Sequence, residues 1–216
     1  DRSTTYILYG LTRTGKSSIL DYLCKRINKK NVKENTYKKI LTFKWDLSKI
    51  PYKNSKPSIL WTNLLETRIY ECLSEDLAHA IVNSYPNKEL PSPDNYNQMY
   101  LRIIIDTLNN YNYIPLITID EFSYIRKMLE EGLVDATFIK NLRDLALEGK
   151  ACFVYAGTYD IKDLPKEKDF GLAGVMNNTT PMHINEIEPQ YANELIDACP
   201  YIFFDKRAKD YIRALS

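Results

Sequence analysis

The stretch "YGLTRTGKSS", residues 9–18, carries the spacing G-x-x-x-x-G-K-[ST], with Gly10, Gly15, Lys16 and Ser17 in the fixed positions. A chance match in a chain of this length is roughly a one-in-a-hundred event at ordinary glycine usage. Each fixed residue type answers a physical need. Several backbone N–H groups can point into one hollow only through unusual dihedrals, which glycine adopts readily. The hollow must open into a helix whose N-terminus faces an anion. A lysine then supplies charge to the β- and γ-phosphates, and the next hydroxyl binds Mg²⁺.

The flanks agree with that need. "TTYILYG" ahead of the loop is rich in β-branched and aromatic residues and reads as a buried strand. Behind it, "KSSILDYLCKRINKK" places Ile19, Leu20, Leu23 and Ile27 at helical spacing. Lys25, Arg26, Lys29 and Lys30 crowd its far end, where the helix dipole favours cations. Strand, glycine loop and helix predict a nucleotide site on Gly10, Arg13, Thr14, Gly15, Lys16, Ser17 and Ser18. Arg13 is expected to face solvent or a partner.

Further along, strands alternate with helices. Strands are expected at 38–47 ("KKILTFKWDL"), 113–122 ("YIPLITIDEF"), 151–158 ("ACFVYAGT") and 181–187 ("PMHINEI"). Residues 57–85 read as a long helix or a helical pair stopped by Pro86, and 87–95 as a loop with two prolines. Helices follow at 96–112 and after a cap at Asp135, the latter stopping near Gly149. "EPQYANELIDAC" and "FDKRAKDYIRAL" read as closing helices. The alternation predicts an α/β fold, a parallel sheet wound with right-handed crossovers.

Hydrolysis needs more than a phosphate loop. In "PLITIDE" an apolar strand delivers Asp120 to its end, where a carboxylate reaches a metal through its water shell. Glu121 projects differently, as a base or water-positioning group. In "FVYAGTYD", Thr158 falls at the carboxyl edge of the sheet, where open α/β sheets bind ligands; its hydroxyl suits the γ-phosphate or the attacking water.

"ILYGLTRTGKSSIL", "LITIDEF" and "FVYAGT", in that order, resemble the Walker A, Walker B and sensor 1 elements of P-loop ATPases of the AAA+ and STAND superfamilies. The likeness is greatest to archaeal-ATPase-like and bacterial STAND domains, and "INEIEPQYANELI" is similar to their segment after the last strand. The resemblance implies a three-layer P-loop NTPase sandwich whose mainly parallel five-stranded sheet runs 5-1-4-3-2. It implies ATP rather than GTP, since no N-K-x-D motif is present, together with Mg²⁺. It assigns Lys16 and Ser17 to phosphate and Mg²⁺, Asp120 to the metal, Glu121 to the water and Thr158 to γ-phosphate sensing. It places an ATPase core at 1–188 and the start of a C-terminal helical lid at 189–216. The chain enters a strand almost at once and stops inside a helical pattern, so it is expected to be part of a longer polypeptide.

One departure bears on mechanism. No arginine occurs between Arg143 and Arg207, where ring-forming AAA+ proteins commonly carry an arginine finger. Lys162, Lys166 and Lys168 do not replace it. The expectation is a slow ATPase used as a switch in a STAND-type signalling or defence protein, with ATP controlling self-association. The alternative is an AAA+ ATPase acting on nucleic acid, of origin-recognition, helicase-loader or transposition type. Seven cations against one acid in residues 24–39 would serve it. A small-molecule kinase fits less well, because water activation is the purpose of the second acid.

Other features narrow the class. A formal net charge of +1 gives the whole chain no nucleic-acid signature. No apolar run reaches membrane-spanning length, and a cytoplasmic location is expected. Cys24, Cys72, Cys152 and Cys199 lack metal spacing and read as reduced core thiols. His79 and His183 are isolated, without companion ligands, and neither reads as catalytic; Trp45 and Trp61 read as packing residues.

Overall fold

The computed structural model describes residues 5–33, 39–53, 55–65, 69–95, 97–162 and 179–184. Five strands, β1 (Thr5–Tyr9), β2 (Lys39–Asp46), β3 (Tyr113–Asp120), β4 (Cys152–Gly157) and β5 (Thr180–His183), form one sheet. All neighbours pair in parallel, and the order is β2-β3-β4-β1-β5. Read from the other edge this is 5-1-4-3-2, as the resemblance implies.

Sequence dictates which face each strand residue serves. Along β2, Phe43 and Trp45 are fully buried, and the alternate residues Thr42, Lys44 and Asp46 share the opposite face. Phe43, Trp45, Ile117, Ile119, Phe153 and Tyr155 join one large core with Leu60, Trp61, Ile104, Leu108, Phe138 and Leu142. That core holds α2 (Ser58–Leu64), α3 (Glu75–Ser84), α4 (Gln98–Asn110), α5 (Tyr124–Glu130) and α6 (Ala136–Leu147) to the sheet. Trp45 and Trp61 both pack edge-on against Phe138 there, as packing residues should. Among the described residues the other face carries a smaller cluster. Leu8, Leu116, Val154 and Ala156 meet Leu20 of α1 (Lys16–Lys33). Helix, sheet and helix make three layers, and each fully buried Leu, Ile or Phe contributes about 1.5–3 kcal/mol.

Helix starts follow their caps. Ser74 accepts from the Leu77 N–H ahead of α3, Asn97 from Met99 ahead of α4, and Asp135 from Phe138 ahead of α6. Gly149, at φ 69°, ends α6 and donates its N–H to Ala146.

Several expectations change. The segment 57–85 is a pair, because Leu73 turns extended and Ser74 starts a new helix; among the described residues a 3₁₀ turn, Tyr70–Cys72, precedes the second half. A further 3₁₀ turn, Pro93–Asn95, occupies the expected loop. α5 has no counterpart in the sequence reading. The third strand stops at Asp120, two residues short of its expected end, where Glu121 turns to φ 52° and the Phe122 N–H bonds Ala156 instead. Of the three described cysteines, Cys72 is exposed on its 3₁₀ turn and is not a core thiol, whereas Cys24 and Cys152 are half-buried, Cys152 packing against the smaller core cluster. The closing helices, Cys199, Lys166, Lys168 and the boundary at 188/189 lie outside the described residues.

Candidate functional site

β3, β4 and β1 are adjacent in the sheet, so the three sequence motifs emerge side by side at its carboxyl edge. β1 delivers the glycine loop. Gly10 is obligatory by close approach, since a Cβ there would collide with the carbonyl oxygen of Ile184 beside the end of β5. Gly15 is required by conformation instead. It sits at φ 85°, and the space where a Cβ would stand is open. Arg13 also has positive φ, 67°, and its side chain is exposed, as expected.

Lys16 is buried at 7% exposure, and its ammonium turns back over the loop. Its Nζ donates to the Gly10 carbonyl at 3.1 Å, to the Leu11 carbonyl, and to Thr14 Oγ1 at 3.5 Å. Thr14 Oγ1 in turn donates to Leu11 O at 2.9 Å. Charge is thereby concentrated over the hollow. Ser17 and Ser18 stand exposed in the first turn of α1, which contains no acidic residue to repel an anion.

Asp120 is buried at 4% exposure and accepts the Glu121 N–H on Oδ1 at 3.0 Å. Its Oδ2 lies 3.7 Å from Lys44 Nζ, which also bonds Asp21 of α1 at 2.8 Å. Asp46 stands directly opposite Asp120 in the β2–β3 register. Burial raises the pKa of Glu121, and the negative charge of Asp120 raises it further, against the opposing pull of Lys16. A carboxylate so placed is a stronger proton acceptor than an ordinary glutamate.

Thr158 follows β4, and the sequence did not announce its partners. The Ser123 hydroxyl accepts the Thr158 N–H at 2.9 Å and lies 2.7 Å from Thr158 Oγ1. Asp160 Oδ1 accepts from both hydroxyls, 3.1 Å from Ser123 Oγ. Lys44 and Asp46 were missed too, although a lysine and an aspartate spaced by two in an apolar strand are a readable sign of a polar face. His183 has aromatic neighbours. It stacks on Tyr9 at 5.0 Å and its Nε2 is 2.6 Å from the Tyr159 hydroxyl, beside Gly10. His79 is exposed on α3.

The donor set suits a magnesium nucleotide. Among the described residues no three His, Cys, Asp or Glu side chains converge to hold a metal. Mg²⁺ asks for less, one or two protein oxygens plus phosphate oxygens and waters. The Ser17 hydroxyl and the Asp120 carboxylate are of that kind, and the open space at Gly15 leaves room for phosphate. No described helix is long and apolar enough to cross a membrane.

No family model and no curated protein sequence matches the chain. Solved structures do. The ORC1 protein of Aeropyrum pernix, in complex with DNA, matches with TM-score 0.59 at 12% identity, over 98% of this chain and 48% of its own. The ORC2 protein of the same organism, in ADPNP and ADP complexes, matches with TM-score 0.60 at 15% identity, over 89% of this chain and 44% of its own. A Walker-type ATPase of Pyrococcus abyssi matches with TM-score 0.57 at 10% identity, over 97% of this chain and 57% of its own. The chain spans about half the length of these proteins. Sheet order and flanking helices, with these matches, give the chain the P-loop NTPase α/β fold.

Proposed function

We propose that the chain is an ATP-binding and slowly hydrolysing domain of AAA+ type, within a protein that acts on nucleic acid. The observation that carries the ATPase reading is the convergence at one sheet edge of the Lys16 loop, the Asp120–Glu121 pair and Thr158. Lys16 meets the charge of the β- and γ-phosphates. Ser17 and Asp120 hold Mg²⁺, which supplies charge neutralisation when bound. Glu121 takes a proton from the attacking water, and Thr158 donates its hydroxyl to the γ-phosphate once released from Asp160. The absence of an arginine between Arg143 and Arg207 favours slow turnover, since an arginine finger is worth about 10³–10⁵ in rate where one is used.

The matched structures favour the nucleic-acid role over the signalling or defence switch, because they include an ORC1 protein in complex with DNA. In this chain the basic segment 24–39 is the candidate contact. Duplex binding measured against salt tests the role. The slope should be steep, and neutralising Lys29, Lys30 and Lys33 should flatten it by about one unit for each phosphate that is no longer neutralised. An identical slope in the neutralised variant would return the signalling reading, and absence of ATP binding would remove the ATPase reading itself.

A further inference from the structure

We infer that Lys44 is the resident countercation of the candidate metal site: its ammonium joins α1 to Asp120 and keeps free Mg²⁺ out until a nucleotide supplies further oxygens and charge. The inference rests on the reading of Ser17 and Asp120 as metal-binding residues.

β2 fixes the placement. Lys44 pairs with Thr118, and Asp46 with Asp120, so both β2 side chains share the sheet face that carries α1. Lys44 Nζ lies 2.8 Å from Asp21 Oδ1 and 3.7 Å from Asp120 Oδ2. Asp21 follows Ser17 by four residues and therefore lies beneath it on the same helix face. One ammonium thus ties the helix that presents the hydroxyl to the strand that presents the carboxylate.

The tie satisfies Asp120 without a metal. Its side chain is 6% exposed, with Oδ1 on the Glu121 N–H and Oδ2 facing Lys44. A buried carboxylate left unpaired would be strongly unfavourable. A cation arriving alone would meet a positive charge already beside its ligand. A nucleotide changes the balance by bringing phosphate oxygens and several negative charges with the metal. Like charges at this spacing near a protein surface cost about a factor of ten or more in affinity, reduced by salt.

The test uses Mn²⁺ as the probe, titrated into the whole chain without nucleotide, with free Mn²⁺ read by its paramagnetic resonance. Lys44→Met should bind Mn²⁺ roughly tenfold more tightly than the parent. Lys44→Arg, which keeps the charge, should bind as weakly as the parent. Asp21→Asn, which leaves Lys44 to Asp120, should bind more weakly still. A merely structural lysine would loosen the site when replaced, so tighter binding by Lys44→Met is the discriminating result. Equal or weaker binding by that variant overturns the inference. Should Lys44→Met not fold, Lys44→Gln with the Asp21→Asn and Lys44→Arg pair decides the same question. ADP binding in the presence of Mn²⁺ is measured alongside. Its absence in the parent would remove the phosphate-loop reading, whereas ADP binding with unchanged Mn²⁺ affinity in Lys44→Met would remove only the role of Lys44.

Discussion

Ser123 Oγ lies 2.7 Å from Thr158 Oγ1 and also accepts the Thr158 backbone N–H, so a residue 35 positions earlier in the chain fixes the candidate sensor. Because Asp160 accepts the Thr158 proton, a phosphate must displace Asp160 to be sensed. Ser123→Ala should therefore lower single-turnover ATP hydrolysis about tenfold while leaving ATP affinity close to the parent's, a loss typical of one positioning hydrogen bond. A change confined to affinity would place Ser123 outside the sensor. Gly157→Ala should act on the same pair more harshly, since the added Cβ would stand 2.6 Å from Ser123 Oγ.

Lys16→Ala should abolish nucleotide binding. The loop would lose its buried ammonium, and the Gly10 and Leu11 carbonyls would lose their donor. Charge-assisted hydrogen bonds of this kind are among the strongest in proteins. Calorimetry with ATP and Mg²⁺ checks it, and unchanged affinity would overturn the phosphate-loop assignment.

Glu121→Gln should keep ATP bound and slow turnover by about 10²–10⁴-fold, the usual worth of a general base. The parent should lose activity on acidification earlier than an ordinary glutamate would dictate, because burial and Asp120 raise the Glu121 pKa. Stability runs the opposite way. A carboxyl whose folded pKa is raised stabilises the fold when protonated, and that contribution is lost as pH rises through the folded value. Glu121→Gln should thus be more stable than the parent at neutral pH and equal to it below the ordinary glutamate range. Thermal melts across pH read both limits.

Glu121→Gly should raise stability further, by about 1–2 kcal/mol, because a non-glycine residue at φ 52° carries left-handed strain. Arg13→Gly, at φ 67°, should do the same to a similar extent. Urea unfolding measures both. The two should part on function, with Glu121→Gly losing turnover and Arg13→Gly retaining nucleotide binding. Loss of stability in both would mean their backbones are not strained.

The sheet order was reached only through the family resemblance, because no local pattern encodes which strands pair; the places of Lys16, Asp120, Glu121 and Thr158 at strand ends were legible because each rests on a local pattern, a glycine spacing or an apolar strand ending in a polar residue. Partners were not legible where they depend on register. Nothing near Thr158 in sequence points to Ser123, and the pairing of Asp46 with Asp120 exists only once β2 meets β3. The start of α3 was missed because apolar periodicity runs on through Leu73 and hides the Ser74 cap. Cys72 misled because an apolar neighbourhood in sequence does not decide which side of a turn faces water.

Among the described residues the two faces of the sheet carry unequal apolar clusters, and this makes the phosphate loop part of a separable unit. α1 is seated on a small apolar cluster and on polar ties, Asn28 to Thr42 and Asp21 to Lys44, both of which water can replace. The helices opposite share one deep apolar core. In amide hydrogen exchange, α1 and its loop should open at lower free energy than β3 or α4, without global unfolding. A nucleotide gripped between the loop and the ends of β3 and β4 would close that opening, so occupancy would be written as slowed exchange along the full length of a helix most of which the ligand never touches.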